Sequence, residues 1–211
     1  MAQTAAATDE SLMTVTLVQR GGWFKADVKE VALAGDRAIL KDFADKSWLS
    51  RLLGRRQIGR EIRALTRLQG IPGIPACYGE AGPWGVLMER VEGERITRWC
   101  RLKPGERTMM FGRLDRLVDS IHRRGVAHID LRKRDNILVG EDGSPRIIDF
   151  NASFCFAPGG LGVRLLFPVL RRVDTAAVLK WKSRLAPHLL TSTEARRHRW
   201  MSALRRLWIF N

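Results

Sequence analysis

The stretch Ala127-His128-Ile129-Asp130-Leu131-Arg132-Lys133-Arg134-Asp135-Asn136-Ile137-Leu138-Val139 (AHIDLRKRDNILV) sets two acids, an amide and three cations between apolar runs. Shortly after it comes Ile147-Ile148-Asp149-Phe150-Asn151 (IIDFN). Upstream, Phe111, Leu114, Leu117, Val118 and Ile121 recur at helical spacing, and Gly125 closes that helix. The polar stretch therefore reads as a loop that leaves a helix and enters a strand, Ile137-Leu138-Val139. Glu141-Asp142-Gly143 then turns the chain into a second strand, Arg146-Ile147-Ile148, which delivers Asp149.

A hairpin that displays Asp130, Asn136 and Asp149 at its edge supplies hard oxygen ligands and a base. A magnesium triphosphate and an attacking hydroxyl require that set. Read as ordinary turn-formers, the same residues would need no ligand.

Working outward, three β-like runs open the chain: Thr14 to Val18, Val28 to Leu33 and Arg37 to Phe43. Gly21-Gly22 and Ala34-Gly35-Asp36 punctuate them, so an antiparallel meander is the simplest reading. Ile58, Ile62, Leu65 and Leu68 place an apolar stripe on a helix ended by Gly70 and Pro72, with Glu61 beside it. Trp84 to Glu89 reads as a buried strand with Val91-Glu92-Gly93 as its exit, and a boundary between two lobes falls near residue 90. Two further helices are expected, from Asp174 to Leu190 and from Glu194 to Phe210, with Asp174 most simply an N-cap.

The order of these pieces resembles the protein-kinase signature: a strand lysine in Ala38-Ile39-Leu40-Lys41, a helix acid at Glu61, H-x-D-L…N from His128 to Asn136, and D-F-x from Asp149 to Asn151. The resemblance implies an α+β, two-lobed protein kinase-like fold with a truncated C-terminal lobe. It sets a disordered stretch at 1–11, an N-lobe of antiparallel sheet plus one helix at 12–90, and a mostly helical C-lobe at 91–211. Its cofactors would be ATP and Mg2+. Asp130 would orient the acceptor hydroxyl, Arg132 would neutralise the transferred phosphoryl, and Asn136 and Asp149 would hold the metal. Lys41, paired with Glu61, would hold the α and β phosphates, and the backbone around Met88, Glu89 and Val91 would meet adenine. His128 would brace the loop, and Asp174, if it is not an N-cap, would brace it as well, as an acid in the corresponding helix of larger kinases does.

Four departures from the family pattern are visible. Four residues, rather than three, separate Leu131 from Asn136. No G-x-G-x-x-G occurs, and Gly21-Gly22 followed by Lys25 stands in its place. Asn151 replaces the glycine of D-F-G, keeping some access to left-handed backbone. No A-P-E occurs. The shortened pattern resembles the bacterial branch that includes RIO-like proteins and lipopolysaccharide core-sugar kinases. It implies phosphotransfer to a hydroxyl of a protein or, alternatively, of a Kdo or heptose sugar; a nucleotide-binding pseudokinase is the third reading.

Composition sets the outer bounds. The 211 residues, 45% hydrophobic, suffice for one good-sized domain or two small lobes. With 37 Lys+Arg against 22 Asp+Glu, the net charge of +15 attracts any polyanion: a nucleotide, an anionic membrane surface or, as a lesser alternative, nucleic acid. Trp181, Trp200 and Trp208 among basic residues suit an anionic interface, although helices with a solvated cationic face explain them equally. Cys77, Cys100 and Cys155 form no CxxC pair, which argues against a disulfide framework or a zinc site. The start MAQTAAATDE has no secretory pattern, so the expected location is cytoplasmic, with peripheral attachment to the inner membrane as the variant.

Overall fold

The computed structural model describes residues 13–33, 36–157, 159–160 and 165–196. The start expected to be disordered, Ala34 and Gly35 of the expected turn, the part of the expected 194–210 helix beyond residue 196, and Trp200 and Trp208 lie outside them. The chain divides into two compact units. One runs through Glu92 and takes in Ile148–Cys155; the other holds Gly93–Ile147 and the residues from Phe156 on.

The first unit is built on a five-stranded antiparallel sheet of order β1-β2-β3-β5-β4, with β1 Met13–Gln19, β2 Asp27–Leu33, β3 Asp36–Asp42, β4 Cys77–Ala81 and β5 Gly85–Glu89. The register pairs Lys41 with Val28 on one side and with Val86 on the other, so the lysine sits in the middle of the sheet. Val31, Ala38 and Leu87 form its apolar centre, each at most 1% exposed. Alternation of side chains along each strand then determines which faces carry the polar residues.

Helix α1, Trp48–Leu68, begins ten residues before the apolar stripe from Ile58. Ser47 caps it, its hydroxyl accepting the Ser50 amide at 3.4 Å. The early turns escape a periodicity reading because their inward positions are small: Ser50 and Gly54 are the buried residues there. Phe43 fills that space, since a Cβ on Gly54 would lie 2.5 Å from the Phe43 ring. Further along, Ile58, Glu61, Leu65 and Leu68 all face inward, which buries the acid together with the stripe.

The second unit opens with β6, Glu94–Arg95, and helices α2, Ile96–Leu102, and α3, Arg107–Arg123. A short strand β7, Val126–Ala127, leads into the polar stretch. Strands β8, Ile137–Val139, and β9, Pro145–Ile147, pair with β6 in the antiparallel order β6-β8-β9. The chain passes through the first unit again, ending there in β10, Phe154–Cys155, and returns as helix α4, Phe167–Leu185. Met110, Phe111, Leu114 and Ile121 of α3 are at most 1% exposed, each contributing about 1.5–3 kcal/mol by leaving water.

Helix α4 corrects two expectations. It starts seven residues before Asp174, so Asp174 is an interior residue and not an N-cap, and Trp181 is buried rather than part of an interface. The three cysteines are free thiols; Cys100 is buried, Cys77 and Cys155 half-buried.

Candidate functional site

In the first unit, Lys41 Nζ lies 2.7 Å from Glu61 Oε1 and 2.8 Å from Asp149 Oδ1. Three residues widely separated in sequence thus meet at one ammonium group. Strand β3 delivers the lysine, the inner face of α1 delivers Glu61, and the turn after Ile148 delivers Asp149. Burial acts to lower the Lys41 pKa, but the carboxylates of Glu61 and Asp149 outweigh it, and the net direction is up. The lysine is held charged. Glu61 moves upward, because burial and the neighbouring Asp149 charge exceed the pull of Lys41.

Glu61 Oε1 also accepts the Phe150 amide at 3.2 Å. That bond ties the helix acid to the backbone directly after Asp149. Asp149 itself has left-handed backbone, φ 67° and ψ 68°, which a non-glycine residue adopts at some cost. Phe150, fully buried, anchors the turn from below. Asn151 sits in a 3₁₀ turn without positive φ, so the left-handed conformation expected of it falls on Asp149 instead.

The turn between β1 and β2 is closed by a carboxylate and not by a glycine-rich loop. Asp27 Oδ1 accepts the Gly21 amide and the Lys46 ammonium, both at 2.7 Å, and Lys46 donates a second bond to the Gly21 carbonyl at 3.0 Å. Lys25, which follows Gly21-Gly22 in place of the glycine motif, is exposed and closes the turn through its backbone amide to Gly22, at 3.1 Å. At the end of β5, Met88 is buried. The Glu89 amide donates to the Ala76 carbonyl at 2.9 Å. The Glu89 amide is thus already engaged, while Val91 follows the strand end as a half-buried residue.

In the second unit, Asn136 Nδ2 donates to the Asp130 carbonyl at 3.0 Å and to Asp130 Oδ2 at 3.3 Å. With its NH2 engaged, Asn136 can present its side-chain oxygen to a cation. The cation against Asp130 is Lys133, at 2.5 Å. Arg132, expected to meet the transferred phosphoryl, contributes its backbone carbonyl as acceptor for Lys180 Nζ at 2.7 Å.

The loop is held from α4. Asp174 Oδ2 accepts the His128 amide at 2.9 Å, Asp174 Oδ1 accepts the Ile129 amide at 2.7 Å, and His122 Nε2 pairs with Asp174 Oδ2 at 2.9 Å. One helical turn or two further on, Lys180 reaches the Arg132 carbonyl and Trp181 Nε1 donates to the Leu131 carbonyl at 2.8 Å. His128 is buried, and its Nδ1 accepts the Asp130 amide at 3.3 Å, which is a bracing role. Sequence reading missed Lys133, Lys180 and Trp181. Asp174, Ala177, Val178 and Trp181 do share one helical face, so an acid on an apolar stripe was the available signal.

The chain is similar to known proteins over part of its length. The chain is 31% identical over 159 residues to CBL-interacting protein kinase 25 of Oryza sativa subsp. japonica, covering 70% of this chain and 30% of that protein. It is 31% identical over 140 residues to calcium-dependent protein kinase 27 of the same species, covering 60% of the chain and 23% of the relative. The fold is protein kinase-like. A shorter match, 46% identical over 56 residues, links it to serine/threonine-protein kinase hal4 of Schizosaccharomyces pombe, covering 26% of this chain and 9% of that one. The kinase-like chain spans less than a third of the length of these curated relatives. No protein-family model matches it.

Hard oxygen donors suit Mg2+, and Asp149 and Asn136 carry such donors. Among the described residues no group of three or more His, Cys, Asp or Glu side chains gathers at one point.

Proposed function

We propose that the chain is a phosphotransferase that moves the γ-phosphoryl of ATP, with Mg2+, to a hydroxyl of a serine/threonine-type protein acceptor. The observation that carries it is the Lys41 ammonium held between Glu61 and Asp149. A buried lysine fixed by two acids is a preorganised phosphate ligand, and one acid can turn to the metal when phosphates arrive. On this reading Asp130 takes the acceptor proton, Lys133 neutralises charge beside it, and Asp149 and Asn136 serve the magnesium, which would offset charge on the phosphates. The names of the relatives support a protein acceptor; a RIO-like subtype, a lipopolysaccharide sugar as acceptor, and a cytoplasmic or inner-membrane-peripheral location belong to the same proposal as its variants.

A second reading, nucleotide binding without transfer, draws on the closed Asp27–Lys46 turn. Labelled ATP and Mg2+ incubated with soluble-protein and envelope fractions separate the two. Transfer that falls by about 10²–10⁴-fold in Asp130→Asn supports phosphotransfer. Transfer unchanged in that variant overturns the role of Asp130, and ATP binding with no transfer to any fraction establishes the second reading.

A further inference from the structure

Helix α1 turns a second, unassigned face outward. Its inner side carries Glu61, the helix's one acid, already paired to Lys41. Its outer side is arranged in sequence: Trp48, Leu49, Leu52 and Leu53 are exposed on the first turns, Trp48 to 71%, and Arg56, Arg60 and Arg63 continue the same face at helical spacing. Such a run of large apolar side chains in water has a cost that folding of this unit does not require.

The arginines are placed rather than merely present. Arg60 stacks over Phe154 at 5.6 Å, and Arg51 and Arg55 over Trp84 at 5.6 and 6.0 Å. Cation–π contacts of this kind fix a guanidinium while leaving its donors available. Among the described residues none of Arg51, Arg55, Arg56, Arg60 and Arg63 makes a salt bridge; the one carboxylate bordering the groove between them is Glu80 of β4. That groove, lined by Arg55, Arg56, Arg60 and Arg63, has a volume of about 510 Å³.

We propose that this face docks on an anionic phospholipid bilayer. Trp48, Leu49, Leu52 and Leu53 enter the interface between headgroups and acyl chains, and Arg56, Arg60 and Arg63 take lipid phosphates, with the groove receiving a headgroup. Stable peripheral attachment takes an apolar and a cationic signal together, and α1 supplies both on one surface. A soluble polyanion would use the arginines and leave the four apolar residues unexplained. A second copy of this chain would bring six arginines of one helix against six of another, which charge repulsion opposes. Among the described residues no helix is long and apolar enough to cross a membrane, so attachment by this face would be peripheral. The proposal does not depend on phosphoryl transfer.

The test is cosedimentation of the full chain with vesicles of phosphatidylcholine and phosphatidylglycerol in equal parts, and with phosphatidylcholine alone. Binding is expected to the first and not the second, weakening as salt is raised. The triple variant Arg56→Gln, Arg60→Gln, Arg63→Gln should lose on the order of a hundredfold in partitioning, at roughly fivefold per arginine. Trp48→Ser with Leu52→Gln should lose about tenfold or more. Circular dichroism checks folding; if a combined variant is unfolded, Arg60→Gln and Leu52→Gln singly, at solvent-facing positions, carry the comparison. No binding to anionic vesicles overturns the proposal, as does binding that neither variant weakens. Loss with the arginine variant alone, together with equal binding of a heparin oligosaccharide, identifies a soluble polyanion site instead. Concentration-dependent dimers that Trp48→Ser with Leu52→Gln abolishes identify a self-contact.

Discussion

Asp174 Oδ1 accepts the Ile129 amide at 2.7 Å, and Ile129 has a φ of 59°. A β-branched residue in left-handed backbone is costly, on the order of 1–3 kcal/mol, and persists where surrounding bonds over-determine it. Here a buried carboxylate does so, from a helix distant in sequence, one residue before Asp130. Replacing Asp174 with Ala would orphan two backbone amides and the His122 ring in a dry interior. The expected loss is about 3–5 kcal/mol, read as a lower urea midpoint. Asp174→Asn, which keeps one acceptor, should lose less. Equal, small losses for both would show that the loop holds its shape without the carboxylate.

The Lys41, Glu61 and Asp149 cluster predicts strong non-additivity. Lys41→Met leaves Glu61, 2% exposed, without its cation, and stability should fall by about 3–5 kcal/mol. Adding Glu61→Gln to that variant removes the stranded charge and should recover part of the loss. A double-mutant cycle by chemical denaturation measures the coupling. Additive effects would mean that the two groups are not paired in solution. Under the proposed function neither variant transfers phosphate at more than a small fraction of the wild-type rate.

Gly54 opposes two effects of known size. In an exposed helix interior, Gly→Ala gains about 1 kcal/mol from backbone entropy. At this position the new Cβ would lie 2.5–2.7 Å from three Phe43 ring atoms, and Phe43 is a core side chain, 2% exposed. Overpacking of that kind costs about 1–3 kcal/mol, so Gly54→Ala should lower Tm. The Gly54→Ala, Phe43→Leu pair should lose less than the sum of the two single losses, and Gly59→Ala, with open space around its Cβ, should raise Tm.

What could be read in advance divides along physical lines. Strands β2, β3 and β8 and helix α3 were legible because period-2 or period-3.6 apolar patterns set them, and Lys41, Glu61 and Asp149 because their spacing matched a known order. The N-terminal half of α1 was illegible: its inward residues are Ser50 and Gly54, and its apolar residues face out, so the pattern runs opposite to the rule. For Asp174 the capping reading fails because α4 starts at Phe167, while the alternative, an acid that braces the loop, agrees with its bonds to the His128 and Ile129 amides. Lys133 was not singled out because which of three adjacent cations faces Asp130 is a matter of loop geometry that residue type does not record.

The turn between β1 and β2 gives a pH dependence of definite sign. Burial acts to raise the Asp27 pKa, but the bonds from Lys46 and the Gly21 amide outweigh it and hold the carboxyl below its ordinary value of 3.8. A carboxyl lowered on folding adds stability that is fully present above the unfolded value and is lost as pH falls through the folded one. The Asp27 contribution should therefore hold at neutral pH and disappear below about pH 4. Asp27→Asn should reduce Tm near neutrality and reduce it less in acid, so that the two melting curves converge as pH drops. Other carboxylates titrate in the same range, and the difference between the two proteins isolates Asp27. Gly21→Ala supplies the geometric control: its Cβ would fall 2.2 Å from the Lys25 carbonyl oxygen, so it should destabilise the turn at every pH without altering the slope. A constant gap between wild type and Asp27→Asn from neutral to acid pH would show that the carboxylate is not what closes the turn.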